Sequence, residues 1–323
     1  MSKVKLIFIV ICLIFSIIIG TYRAVEGKTS DFNNIYKACN CLNENKLLNE
    51  CSPYYRYPPT FAYIISPACN HLTSRQLAFL VLLFSSVMLI IPLFTFEDFN
   101  LALNSVILLL PPILDSIMVD QINIIPFFSL PVLAYYFRKS SLLSGFFLSL
   151  AIVLKAIPII LVYWLILEKK LKNLFFCIIF CALIIILIGK NFYIWIDDSF
   201  FHFIKYAQLN PKYHFGFGEK NYSIFSVLDY FHISKFGFFI LLIILILLPF
   251  LKLSEFEIFS VLIILMLIFS PIYYLLRTKA KIYLFLPLLY IPIFKFPLIF
   301  NFVLLLFFLF KPFNFKSFKI SKL

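Results

Sequence analysis

The chain has 323 residues, of which 63% are hydrophobic and 13% are charged, and its formal net charge at pH 7 is +13. Soluble globular domains are about half apolar and a quarter charged, so this composition excludes a water-soluble protein and predicts an integral membrane protein. The positive charge does not indicate nucleic-acid binding, because Lys and Arg lie mainly in short clusters at the ends of apolar segments. Such clusters are typical of the cytoplasmic turns of membrane proteins.

Apolar segments separated by short charged stretches predict an all-α, polytopic bundle of about 10–12 membrane spans, in one domain over residues 1–323. Several segments are shorter than the roughly 20 residues that a straight span needs, so some helices are expected to be short or re-entrant. Lys3 and Lys5 precede the first segment, and no good cleavage site follows it. We therefore expect an uncleaved first helix in the plasma membrane with a cytoplasmic amino terminus, while the side of the carboxyl terminus stays open.

The first helix is followed by a polar loop over residues 21–75, which this orientation places outside the cytoplasm. Ser30 has the character of an N-cap and predicts a short helix with Asp31 at its start. Pro58-Pro59 predicts the start of a second helix over residues 59–70, which are apolar but too few to span the membrane. The loop is thus expected to contain amphipathic helices, the second of them lying along the membrane surface.

Four of the seven cysteines lie in this loop, namely Cys39, Cys41, Cys51 and Cys69. An even number of cysteines on the outer side of a membrane predicts disulfides, but four cysteines allow three pairings and the sequence does not choose among them. A zinc site is the alternative, although Cys-x-Cys followed by distant single cysteines is a poor spacing for metal ligands. No other ligand cluster demands a metal, and no cofactor is expected.

Basic residues between the apolar segments predict the membrane topology of the rest of the chain. Arg138-Lys139 and Glu168-Lys169-Lys170 both have the character of cytoplasmic turns, so residues 141–167 are predicted to form a hairpin with its tip near Lys155. Each arm has only about 13 residues, or ~20 Å of helix, which leaves Lys155 at interfacial depth. A further helix then leads to a second outer segment, residues 190–235.

Several polar residues near the predicted outer face are candidates for catalysis or substrate binding. Asp31 has the position of a general base, but from the residues alone a plain helix cap is the simpler interpretation. Arg56 lies among tyrosines that include Tyr57, where a guanidinium and aromatic rings suit a phosphate and a sugar, or an anchor in the interface. Lys155, deep in an apolar hairpin, suits an anionic lipid phosphate, or it extends to lipid head groups.

Two further groups lie at the same predicted level. Asp120, Gln121 and Asn123 occupy an outer turn, where they could bind sugar hydroxyls or neutralise Lys155. Asn221 begins an Asn-x-Ser tripeptide, which matches the pattern of N-glycosylation. The sequence has no P-loop, no dinucleotide fingerprint and no His-Glu-x-x-His motif, so ATP hydrolysis and zinc proteolysis are disfavoured.

Five short elements follow one another along the chain: Asp31-Phe32-Asn33-Asn34-Ile35-Tyr36, Tyr55-Arg56-Tyr57-Pro58-Pro59, Gln121-Ile122-Asn123, Lys155-Ala156-Ile157-Pro158 and Asn221-Tyr222-Ser223. In this order they resemble glycosyltransferase family 87, a family of polyprenyl-phosphate-sugar-dependent membrane enzymes of the type C fold that includes mannosyltransferases. Asp120 stands where the family has glycine, and the family's Trp-x-His-Tyr element between Ser270-Pro271 and Leu286-Pro287 is missing here.

The resemblance implies a membrane hexosyltransferase that moves a sugar, with mannose as a candidate, from polyprenyl phosphate to a glycan or glycolipid on the outer face. It implies that Asp31 is the catalytic base, and that Lys155 and Arg56 contact the donor phosphate. The remaining substrate-binding candidates are Tyr57, Asp120, Gln121, Asn123 and Asn221. The alternatives are a transporter or flippase of lipid-linked sugars, or a non-catalytic binder of them. A transporter predicts polar residues in the middle of spans and an internal repeat, and neither is visible.

Overall fold

A computed structural model describes residues 2–28, 30–51, 55, 57–95, 122–196, 236–251 and 253–268, together with scattered positions between 99 and 118. These residues form helices and the turns between them, without a strand, which confirms the prediction of an all-α membrane protein. The α-helices are α1 (Ser2–Val25), α2 (Ser30–Asn43), α3 (Leu48–Cys51), α4 (Thr60–Cys69), α5 (Ser74–Ile90), α6 (Leu130–Tyr136), α7 (Ser141–Leu154), α8 (Val162–Leu167), α9 (Leu171–Ile188), α10 (Lys190–Trp195), α11 (Phe236–Leu247) and α12 (Glu255–Ile268).

Four short stretches of other helix types extend these elements. A 3-10 segment (Ile91–Thr95) continues α5, another (Ile157–Leu161) precedes α8, and a third (Leu248–Phe250) follows α11. A π-helical turn (Ile125–Ser129) leads directly into α6. Each contains a proline, which has no N–H to donate and so disfavours a continuous α-helix.

Three of the described helical segments are long and apolar enough to cross a membrane, namely Lys3–Val25, Ser74–Thr95 and Leu171–Ile188. Five further apolar helical segments have between 10 and 17 residues, as the sequence predicts for short or re-entrant elements. The expected total of about 10–12 spans includes segments outside the described residues and stays a prediction. The assignment of all residues to one domain likewise stays a prediction.

Helices α7 and α9 approach each other closely at Gly145. A Cβ atom added at Gly145 would lie 2.7 Å from Phe176 Cβ, 2.8 Å from the Cys177 nitrogen and 2.9 Å from the Asn173 oxygen. Because two of these three atoms belong to the backbone of α9, the neighbours cannot simply rotate away. Small side chains at such a crossing let two apolar helices gain close packing contacts inside a bilayer.

The first polar loop folds into a small helical unit of α2, α3 and α4. The first helix runs to Val25, so this loop begins about five residues later than the predicted residue 21. Disulfides join Cys39 to Cys69 and Cys41 to Cys51, which is one of the three pairings that the sequence allows. The described residues contain no group of three or more His, Cys, Asp or Glu that could hold a metal ion.

Hydrogen bonds from α2 to α4 and to the turn after it add to the covalent link between these two helices. The Asn43 amide donates to the Ser66 carbonyl at 3.1 Å, and the Tyr36 hydroxyl donates to the Leu72 carbonyl at 3.3 Å. Pro67 lies inside α4, where a proline cannot serve the carbonyl four residues earlier. The Ser66 hydroxyl donates to that carbonyl, of Tyr63, at 3.1 Å, which explains how α4 continues through the proline.

The two ends of α7 carry different charged groups. Next to its start, the Glu255 carboxylate lies 3.0 Å from the Lys170 ammonium and 3.7 Å from the Arg138 guanidinium. Partial burial and the nearby Glu255 raise the pKa of Glu168, and Lys170 acts in the opposite direction. This group of four residues, the Glu255 cluster, joins the start of α12 to two turns that the sequence assigns to the cytoplasmic side, Arg138-Lys139 and Glu168-Lys169-Lys170. Lys155 follows the other end of α7, about 20 Å away along the helix.

Candidate functional site

Lys155 lies at a break in the helical path. Helix α7 ends at Leu154, and Lys155 itself is extended, with φ −159° and ψ 106°, before the 3-10 segment begins at Ile157. Pro158 disfavours a continuous helix here, because it has no N–H for the Leu154 carbonyl four residues earlier and its ring would clash with that carbonyl. The break coincides with the tip of the predicted hairpin, so the cation stands at the end of an apolar helix.

Three side chains from other parts of the chain surround the Lys155 ammonium. The Lys155 Nζ donates a hydrogen bond to Asn123 Oδ1 at 2.7 Å. It also lies 4.6 Å from the centre of the Tyr57 ring and 5.4 Å from the centre of the Phe127 ring. Both distances are within the range in which an aromatic face attracts a cation. The candidate site is therefore built where the first loop meets the helical bundle.

The π-helical turn before α6 supplies two of these contacts. Asn123 precedes the turn and Phe127 lies within it, and the Phe127 N–H donates to the Asn123 main-chain oxygen at 3.1 Å. Asn123 is only 2% exposed. Single π-helical turns often occur at functional sites, because they change which side chains share one face of a helix.

Tyr55 fixes the segment that presents Tyr57. Its buried hydroxyl donates to the Pro58 carbonyl at 3.1 Å and accepts from the Ala62 N–H at 3.2 Å, while its ring lies 5.8 Å from that of Tyr57. Burial raises the pKa of the Tyr55 phenol well above its usual value, so the hydroxyl stays protonated. The Tyr-x-Tyr-Pro-Pro element is thus a compact turn that opens α4.

The sequence model of glycosyltransferase family 87 matches residues 55–285, which is more than half of the chain. The chain belongs to this family. It is therefore a membrane glycosyltransferase, an enzyme with a sugar donor and an acceptor. No curated protein and no solved structure matches the chain. The matched range contains Tyr57, Asn123 and Lys155, and it begins after α2, so Asp31 lies outside it.

The family 87 chain brings three of its eight predicted site residues together, namely Tyr57, Asn123 and Lys155. The backbone of Asp31 lies in the first turn of α2, the helix that the Cys39–Cys69 disulfide joins to α4. The remaining four lie outside the described residues: Arg56, Asp120, Gln121 and Asn221. The role of each of the eight residues stays a prediction.

A second polar contact of this glycosyltransferase joins the first loop to the region after α9. The Tyr63 hydroxyl donates to the Ile188 carbonyl at 3.3 Å and accepts from the Asn191 amide at 3.0 Å. Asn191 Oδ1 in turn accepts from the Leu48 N–H at 3.2 Å. Between α9 and α10, Gly189 adopts φ +59° and ψ −128°, a conformation that strongly favours glycine. This contact links α3 and α4 to the start of the predicted second outer segment.

We predict that Tyr55→Phe loosens the first loop of the transferase. The change removes one hydroxyl that serves two buried backbone groups, so we expect the free energy of unfolding to fall by about 1–3 kcal/mol. Thermal unfolding in detergent and limited proteolysis of the loop measure the effect. The control is Tyr193→Phe, because Tyr193 is 72% exposed. Equal melting temperatures and equal cleavage for both variants would contradict the role assigned to Tyr55.

Proposed function

We propose that this glycosyltransferase moves a hexose from a polyprenyl-phosphate carrier to a glycan or glycolipid acceptor on the outer face of the plasma membrane. Mannose is the first sugar to test. The observation that carries the proposal is the Lys155 ammonium, which Asn123 and Tyr57 contact at the end of an apolar helix. A cation at that depth suits a ligand whose phosphate remains at the membrane surface while its chain extends into lipid.

The distribution of basic residues between the two ends of the bundle supports a site on the outer side of the membrane. The Glu255 cluster contains Arg138 and Lys170, and exposed Lys139, Lys169 and Lys172 lie in the same turns. Basic residues in short turns favour the cytoplasmic side. The opposite end of α7, with Lys155 and the disulfide-containing loop, is then extracytoplasmic, where disulfides persist. The same arrangement gives the cytoplasmic amino terminus that Lys3 and Lys5 predict.

The proposed reaction is a single displacement with inversion. The Asp31 carboxylate takes the proton of the acceptor hydroxyl while the hydroxyl oxygen bonds to the anomeric carbon of the sugar. The bond between that carbon and the phosphate oxygen breaks, and polyprenyl phosphate leaves with the electron pair. Lys155 and Arg56 stabilise the negative charge that grows on the phosphate in the transition state. The sugar is bound by Tyr57, Asp120, Gln121 and Asn221.

The donor class is tested with purified protein in proteoliposomes that contain a membrane lipid extract as the source of acceptors. Polyprenyl-phosphate mannose and polyprenyl-phosphate glucose, each radiolabelled in the sugar, are compared with the corresponding nucleotide sugars. We expect label to move to an acceptor from a polyprenyl-phosphate sugar and not from a nucleotide sugar. Transfer from the nucleotide sugar alone would contradict the donor class. Movement of the labelled donor across the bilayer without transfer would instead support a flippase.

A further inference from the structure

We propose that Asn123 is a positioning residue, which sets the orientation of the Lys155 ammonium and does not itself bind the sugar. The inference rests on the proposed function, because it takes the donor phosphate as the ligand of Lys155. It also changes the role that the sequence suggests for Asn123, which is that of a contact to sugar hydroxyls. The residues concerned are Asn123, Lys155, Tyr57 and Phe127.

Burial separates the two partners of the hydrogen bond. Asn123 is 2% exposed, whereas Lys155 is only partly buried. A ligand that approaches from the surface therefore meets the ammonium, with the amide behind it. Since the Asn123 Oδ1 accepts from Lys155 Nζ at 2.7 Å, that oxygen is engaged with the cation. The geometry suits an amide that acts through Lys155.

The Lys155 side chain needs contacts that restrict its conformation, because the local backbone restricts it little. A lysine side chain has four rotatable carbon links and loses roughly 2 kcal/mol of rotamer entropy when it is fixed. Lys155 lies beyond the last residue of α7, so helical packing does not restrict it as it would inside the helix. A charge-assisted hydrogen bond and two aromatic faces restrict the ammonium to one region.

The choice of an amide at position 123 has a chemical consequence. An amide oxygen orients an ammonium ion without adding negative charge, whereas a carboxylate at the same place would compete with an anionic ligand. The main-chain oxygen of Asn123 accepts from the Phe127 N–H in the π-helical turn. The amide oxygen and the Phe127 ring thus come from one hydrogen-bonded turn, and both contact the cation.

The test is a double-mutant cycle of Asn123→Leu and Lys155→Met in proteoliposomes. Two quantities are measured: the KM for the polyprenyl-phosphate hexose that wild-type protein uses, and inhibition by polyprenyl phosphate that carries no sugar. We expect Asn123→Leu to weaken the binding of both ligands by a similar factor, about 10-fold or more. In the Lys155→Met background the same substitution should add nothing, because its effect passes through the lysine. The KM for the acceptor should not change.

Two results would overturn the inference. Weaker binding of the sugar-bearing donor with unchanged inhibition by polyprenyl phosphate would mean that Asn123 contacts the sugar. Additive effects in the double variant would mean that Asn123 acts independently of Lys155. Asn123→Asp is the second variant, since it keeps the shape and the acceptor oxygen. This substitution should weaken the binding of polyprenyl phosphate and of the donor alike, because it adds a negative charge beside the ammonium.

A failure of this inference can be distinguished from a failure of the proposed function. If wild-type protein transfers no sugar, the proposed function fails, while binding of radiolabelled polyprenyl phosphate still reports whether Asn123 and Lys155 are coupled. Absence of any binding by the wild-type protein would contradict both. Transfer by the wild type together with an additive cycle would contradict the inference alone.

Discussion

Lys155→Met is expected to lower kcat/KM for sugar transfer by about 100-fold or more. The substitution keeps an unbranched apolar side chain, one heavy atom shorter, and removes the charge that is proposed to stabilise the leaving phosphate. Helix α7 ends before this residue, so the fold of the bundle should survive the change. The measurement is initial-rate transfer from the polyprenyl-phosphate sugar in proteoliposomes, with equal amounts of folded protein confirmed by size-exclusion chromatography.

Two companion variants make this prediction specific to the site. Lys139→Met removes an exposed cation from the turn before α7, at the opposite end of the helix, and should leave transfer within about two-fold of wild type. Lys155→Arg keeps the charge but changes its shape and hydrogen-bonding geometry, so it should retain more activity than the methionine variant. If Lys155→Met and Lys139→Met are equally active, Lys155 does not contact the reacting phosphate.

Gly145→Ala is expected to lower the free energy of unfolding by about 1–3 kcal/mol. The new methyl group would lie between 2.7 and 2.9 Å from one Cβ and two backbone atoms of α9, so the two helices must move apart. We expect a lower melting temperature in detergent and a reduced yield of monodisperse protein. Transfer activity should fall as well, because α7 ends next to Lys155.

The matched control for this packing change is Ala182→Val. Ala182 is an exposed residue of α9, so added methyl groups there face outward and should leave the melting temperature unchanged. A Gly145→Ala protein as stable as Ala182→Val would show that α7 and α9 do not approach as closely as described. Loss of activity with an unchanged melting temperature would point to an effect on Lys155 and away from packing.

Much of the fold followed from local patterns. The capping residue of the first loop predicted the start of α2, and the proline pair predicted α4 to within one residue at each end. Lys155-Ala156-Ile157-Pro158 predicted the end of α7. The end of α1 differed, because Thr21 does not terminate it. The Thr21 hydroxyl donates to the Ile17 carbonyl at 2.8 Å, so its hydrogen-bond donor has an acceptor within the helix.

The site was harder to predict because its contacts join distant residues. Tyr57, Asn123 and Lys155 were each singled out by residue type, but only packing of the loop on the bundle brings the three together. The roles of Tyr55 and Asn191 were missed. Tyr55 bonds to backbone groups, and the partners of Asn191 lie more than 100 residues away along the chain. A tyrosine before a proline pair is a usable signal for the first; the sequence offers none for the second.

The disulfide pairing was also beyond sequence reasoning, since loop lengths alone permit all three arrangements. The structure joins Cys39 to Cys69 and so ties α2 to the last residue of α4. This link connects the helix that begins at Ser30 with the element that opens at Tyr55, Tyr57 and the proline pair. The disulfides therefore bear on how the proposed base and the proposed phosphate site are held relative to each other.

The most direct test of the central claim is sugar transfer by Asp31→Asn compared with the wild type, in proteoliposomes supplied with a radiolabelled polyprenyl-phosphate sugar. Glu44→Gln is the control, because Glu44 is an exposed carboxylate of the same loop. The account predicts that Asp31→Asn loses at least about 100-fold in kcat, the usual contribution of a general base, while the KM for the donor and the activity of Glu44→Gln stay near wild type. Transfer by Asp31→Asn at the wild-type rate would contradict the account.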